Sequence, residues 1–228
     1  MTTKKKNSLQ NRKIKIVIID DHPIVRHGLA QIINLQENMT VCGDAANTRD
    51  GWDLIVREDP DLVILDISLE GASGFDLLKG ARKRKPNLLF LVLSMHDENL
   101  YAERALRLGA RGYIMKQEAT DNMIKAITQI LAGEIYLSEK MKSKVLSKLI
   151  RGEMGGAENR SAMDALTDRE LEIYRHIGMG MSSGQIAKKL NLSIKTVETH
   201  RYNIKLKLEL ENSAELLRHA INWVQTEK

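Results

Sequence analysis

The 228-residue chain holds a single cysteine, Cys42, so neither a disulfide framework nor a cysteine-based metal site can form within it. Set inside an apolar run, Cys42 reads as a small core residue. Long apolar stretches are missing too: runs such as Leu88 to Leu93 fall far short of a bilayer span. The opening MTTKKKNSLQ carries positive charge with no apolar segment behind it, which is not the form of a secretory leader. The expectation is a soluble, cytoplasmic protein with no membrane partner. There is also no internal repeat and no low-complexity tract. What remains is 43% hydrophobic, enough for one large or two ordinary cores.

Charge divides the chain. Residues 1–13 have five basic groups and no acid, residues 14–136 are net −4, residues 137–163 net +3 and residues 164–228 net +1. The overall pI of 9.2 is therefore a weak argument for nucleic acid, because much of the excess sits in a tail and a linker. The stretch Lys188 to Lys207 is more pointed: six basic residues meet only Glu198.

The run KIVIIDDH delivers two carboxylates, Asp20 and Asp21, from the end of a continuous β-branched run, and VILDISLEG delivers a third, Asp66. Such runs are buried parallel strands, and in open α/β sheets the ligand crevice lies at their carboxyl ends. Three acids converging there repel one another and favour a divalent cation. Periodicity places strands at Ile14–Ile19, Thr40–Ala45, Leu62–Leu65, Leu88–Leu93 and Gly112–Met115, each followed by a helical pattern such as Val25–Leu35 or Asp121–Leu131. Five such repeats of strand and helix predict a five-stranded, doubly wound parallel sheet.

A helical segment, 138–150, then leads into RGEMGGAENRSA, where Gly152, Gly155 and Gly156 read as a flexible joint. The predicted boundaries are 14–132, a linker over 133–163, and 164–228. The last part reads as a small all-α domain of four helices: Asp168–Ile177, Ser183–Leu190, Ile194–Leu208 and Ala214–Gln225. Thr167 with Glu170 and Ser182 with Gln185 fit capping boxes, and Ser193 and Ser213 are candidate caps. Only Asn191, Leu192 and Ser193 separate the second and third helices, the tight connection of a helix-turn-helix.

On these residues the chain resembles the NarL/FixJ class of two-component response regulators. Residues 14–132 look like a receiver domain: the pair Asp20 and Asp21, Asp66 with Gly74 eight residues on, Ser94 in FLVLSMHDE, and Lys116 three residues after Tyr113 in ARGYIMKQE. Residues 166–210 resemble the LuxR-type DNA-binding domain. The resemblance implies phosphorylation of Asp66 by a sensor histidine kinase, with Asp21 a direct Mg²⁺ ligand, Asp20 a ligand through water, and the main-chain carbonyl of Ser68 a further ligand. It implies Lys116 as countercharge, Ser94 as donor to a phosphoryl oxygen, and Tyr113 as the ring that fills the space Ser94 leaves. His22 reads as a helix-start residue ahead of Pro23 rather than a ligand, and His96 as a loop residue near the site. Leu69 and Glu70 stand where receivers commonly have Met-Pro, and Gln117 where many have proline.

On the third helix of the last domain, taking Val197 as buried puts Ile194, Ile204 and Leu208 on its face. That leaves Lys195, Glu198, Thr199 and Tyr202, with Thr196 beside them, to meet base edges of double-stranded DNA. Lys188, Arg201, Lys205 and Lys207 suit phosphates. The last helix presents Leu217, Ala220, Ile221 and Val224, and the resemblance implies homodimerisation through it. An alternative from another class is a receiver-like interaction module that binds DNA whatever its phosphorylation state. An aspartyl-phosphate hydrolase would need a second aspartate two residues after Asp66, where Ser68 stands.

Overall fold

The computed structural model describes residues 12–69, 72–95, 98–150, 163 and 165–226. It divides between Lys144 and Val145 into two compact units. In the first, β1 (Ile14–Ile19), β2 (Met39–Ala45), β3 (Leu62–Asp66), β6 (Leu89–Ser94) and β7 (Gly112–Met115) form one parallel sheet in the order β2-β1-β3-β6-β7. Ile16 to Ile19, Leu62 to Leu65 and Leu91 to Leu93 are fully buried, as strands covered on both faces must be. Helices α1 (Pro23–Asn34), α2 (Thr48–Glu58), α3 (Gly74–Arg84), α4 (Glu98–Leu108) and α5 (Ala119–Leu131) supply the cover.

Two features depart from simple alternation. A short antiparallel hairpin, β4 (Ser68–Leu69) and β5 (Ala72–Ser73), stands between β3 and α3. After α5, Tyr136 pairs with the outer edge of β7: its N–H donates to Arg111 O at 2.9 Å, and its carbonyl accepts from Tyr113 N–H at 3.1 Å. Helix α6 (Glu139–Ile150) follows, as the spacing predicts. The glycine-rich joint, Glu70 and His96 lie outside the described residues.

The second unit contains α7 (Asp168–Gly178), α8 (Ser183–Leu190), α9 (Ile194–Lys207) and α10 (Ser213–Thr226). Both predicted capping boxes are present, and Ser193 caps α9 by accepting from Thr196 N–H at 3.0 Å. Asn191 takes the left-handed conformation (φ 53°) that ends α8 and turns the chain into α9. Leu171, Ile173, Tyr174, Ile177, Ile186, Val197, Ile204, Leu216 and Ala220 form the small core.

Two sequence expectations are corrected here, the cap of α10 and the burial of Ile194, and Leu216 adds a core residue that the periodicity did not single out. Asn212, not Ser213, caps α10, because its carboxamide oxygen accepts from the N–H groups of Ala214 (3.1 Å) and Glu215 (2.9 Å). Leu216 is the fully buried leucine of α10, while Leu217 is 40% exposed. Ile194 is 57% exposed although it shares an arc with Val197, because it opens α9.

Candidate functional site

The parallel register brings the predicted residues of the first unit together. Ile19 is level with Leu65, Asp66 with Leu93, and Ser94 with Met115, so Asp20, Asp66, Ser94 and Lys116 emerge at neighbouring carboxyl ends. Asp20, Asp66 and Ser94 are each at most 1% exposed. Lys116 Nζ lies 2.7 Å from Asp66 Oδ2 and 2.7 Å from Asp20 Oδ2. Asp66 Oδ1 accepts from Ser68 N–H at 3.0 Å. Buried charges persist only when paired, and this ammonium serves two carboxylates. Burial nevertheless pushes the Asp66 carboxyl above its ordinary value, against the ion pair and the Ser68 hydrogen bond. Burial works against the Lys116 charge as well, but Asp20 and Asp66 outweigh it and hold its pKa up.

Local backbone contacts fix the site. Gly74 N–H donates to Ile67 O at 3.0 Å, and a Cβ on Gly74 would lie 2.2 Å from Asp66 O. No other residue type permits that approach. Arg26 reaches from α1 to donate to Asp20 O at 2.6 Å and to Asp44 at 2.6 Å. Tyr113 is 1% exposed, its ring packed inside the core.

His22 sits inside the cluster, unlike its reading as a helix-start residue alone. It does precede α1, but its Nδ1 lies 2.5 Å from Asp21 Oδ1, 3.2 Å from Asp20 Oδ1 and 3.3 Å from Lys116 Nζ. Ligand atoms of Asp20, Asp21, His22 and Asp66 all fall within 4.8 Å of one another. Among the described residues, the buried Asp21 Oδ1 has the His22 ring nitrogen beside it and Asp20 Oδ2 has the Lys116 ammonium, each outside hydrogen-bond geometry. Hard oxygen donors left short of partners fit Mg²⁺.

In the second unit, Lys195, Glu198, Thr199 and Tyr202 are exposed together on α9, and Val197 and Ile204 are buried behind them. Glu198 accepts from the Ser183 hydroxyl and lies 3.8 Å from Arg201 Nε. Thr196 is half-buried, its hydroxyl 2.8 Å from Ser193 Oγ. Lys205 stacks over Tyr202 at 5.9 Å from the ring centre. Lys188 is exposed, whereas Lys207 has a partner within the protein: its Nζ lies 2.6 Å from Oε2 of the buried Glu170.

Comparison with known proteins agrees with both halves. Residues 16–128 match the response regulator receiver domain family, and residues 164–220 match the luxR family of bacterial regulatory proteins. The chain is 33% identical to the nitrate/nitrite response regulator protein homolog of Haemophilus influenzae, over 88% of this chain and 92% of that one. It is 34% identical to the oxygen regulatory protein NreC of Staphylococcus carnosus, over 91% and 97%. Among solved structures, the RcsB response regulator of Salmonella typhimurium aligns with a TM-score of 0.56 at 28% identity, over 94% of this chain and 99% of that one. RcsB from Salmonella enterica serovar Typhimurium, solved bound to a promoter with the phosphomimetic BeF₃⁻, aligns with a TM-score of 0.56 at 27% identity, over 92% and 100%. Through both of its domains and across nearly its whole length, the chain belongs to the two-component response regulators that carry a LuxR-type DNA-binding domain.

Proposed function

We propose that the receiver accepts a phosphoryl group on Asp66 from a sensor histidine kinase, with Mg²⁺ at the site, and that the C-terminal domain then binds promoter DNA as a homodimer. The observation that carries this reading is the single ammonium of Lys116 held 2.7 Å from each of two buried carboxylates. One cation against these carboxylates leaves the site net negative, so it is charged for a divalent cation, and with that cation bound it would suit a phosphoryl group. The domain limits 14–132 and 164–228 are part of the same proposal.

A carboxylate oxygen of Asp66 forms the new P–O bond while the P–N bond of the donor phosphohistidine breaks, and the imidazole departs with the electron pair and takes up a proton. Asp20, Asp21, Asp66 and the main-chain carbonyl of Ser68 would hold Mg²⁺, which when bound supplies positive charge against the phosphoryl oxygens. Lys116 then pairs with a phosphoryl oxygen, and the Ser94 hydroxyl donates to another. Tyr113 takes up the volume that Ser94 leaves.

On DNA, Lys195, Thr196, Glu198, Thr199 and Tyr202 face the base edges, and Lys188, Arg201 and Lys205 take phosphates. Lys207 is better assigned to holding Glu170. That a relative, RcsB, was solved bound to a promoter supports DNA binding. Asp66→Asn should take up no label from phosphoramidate in Mg²⁺ while keeping the wild-type circular dichroism spectrum. Undiminished labelling of that variant overturns the assignment. Its binding to promoter DNA at the strength of the phosphorylated wild type would favour the phosphorylation-independent interaction module.

A further inference from the structure

Ser138 joins the receiver to α6, and it is tied on both sides. Its N–H donates to Glu98 Oε1 at 2.9 Å, its hydroxyl donates to Glu98 Oε2, and its Oγ accepts from Met141 N–H at 3.1 Å. Ser138 therefore caps α6 while filling both carboxylate oxygens of Glu98, which is only 9% exposed. Two residues earlier, Tyr136 is hydrogen-bonded to the backbone of Arg111 and Tyr113. Both anchors stand on elements that build the phosphoacceptor site. Glu98 opens α4 four residues after Ser94 ends β6, and Tyr113 lies on β7 three residues before Lys116.

We propose that Glu98 and Ser138 form a latch through which the state of Asp66 reaches the first turn of α6, an inference that rests on the phosphoacceptor reading above. When Ser94 is drawn toward a phosphoryl oxygen, Glu98 is displaced with it, since Glu98 opens α4 only four residues after Ser94 ends β6. A carboxylate held by two donors on one residue loses both together when it shifts. Ser138 is then freed of Glu98, the cap on α6 loosens, and the N–H groups of the first turn open to water. The pairing of Tyr136 with β7 keeps the connection attached, so the change is a fraying of α6 rather than a release of the chain.

Hydrogen exchange of the full-length protein, with and without beryllofluoride and Mg²⁺, tests the latch. In wild type, beryllofluoride should speed exchange of the Met141 and Lys142 amides about five-fold, the loss expected for one helix cap. In Ser138→Ala and Glu98→Gln those amides should already exchange fast, and beryllofluoride should add less than about two-fold. Protection of the segment around Asp66 reports beryllofluoride binding separately. Its absence overturns the phosphoacceptor reading and the latch with it. Protection there without faster exchange at Met141 overturns the latch alone, as does a beryllofluoride response in Ser138→Ala equal to that of wild type, which marks a cap with no tie to the site.

Discussion

Gly74 has no room for a side chain, since a Cβ would meet both Asp66 O and, at 2.8 Å, Ile67 Cα. Gly74→Ala must push the β3–α3 connection away from Asp66. It should cost about 2–3 kcal/mol in urea denaturation and slow phosphoryl uptake. Lys116→Met leaves Asp20 and Asp66 without their shared cation, a loss of about 3–5 kcal/mol. Added Mg²⁺ should restore part of that stability; a denaturation midpoint of Lys116→Met that ignores Mg²⁺ would show that the carboxylates do not hold a cation. The acids were legible in the sequence because charged residues ending β-branched runs are costly without a ligand. Ser94 and Lys116 were legible only through family resemblance, since a serine or lysine at a strand end has many ordinary uses. His22 and Arg26 were missed: which way a ring folds back, or a guanidinium reaches, depends on neighbours from other elements that no local motif encodes.

Helix starts were the most readable elements, because a hydroxyl and an acid or amide three residues apart satisfy free N–H groups wherever they occur. The failures came where two candidates stood side by side. Asn212 precedes Ser213, and Leu216 precedes Leu217, so periodicity alone could not choose between them. Leu216→Ala should destabilise the second unit by about 2–5 kcal/mol, and Leu217→Ala in the monomer by less than about 0.5 kcal/mol. The capping box of α7 also sets a pH response. Burial opposes ionisation of Glu170, but Lys207 and the Thr167 N–H and hydroxyl outweigh it and hold its carboxyl below the ordinary value. Stability from this group is present above the unfolded value of about 4.3 and is lost as pH falls through the depressed one. His176 is buried, which lowers its pKa, so the unfolded chain takes up that proton first and stability declines below about pH 6.5. Followed by Trp223 fluorescence in a Trp52→Phe background, urea midpoints should fall in two stages on acidification. Glu170→Gln should remove the lower stage and keep the upper.

Across the whole molecule, the succession of elements was legible, from five strand-and-helix repeats to four capped helices. The sheet order was not, because nothing in the hydropathy of β1 says that it lies between β2 and β3. Nor was the Glu98–Ser138 tie, which joins residues 40 positions apart. Charge clustering on α8 and α9 yields a prediction for the intact protein. Lys188→Ala and Lys205→Ala should each weaken specific and non-specific DNA binding alike and reduce the logarithmic salt slope by about one unit at most. Lys207→Ala should instead lower the urea midpoint of the second unit and leave that slope nearly unchanged. Glu198→Ala with Tyr202→Ala should alter which sites are selected from a random DNA pool, by roughly 1–3 kcal/mol per lost base contact. The pairing of Tyr136 with β7 has a different consequence. It puts backbone partners on the rim of the sheet that would otherwise be open to a neighbouring molecule. A receiver cut after Ala132 would carry that rim bare and self-associate with rising concentration, whereas one cut after Ser138 would stay monomeric in sedimentation.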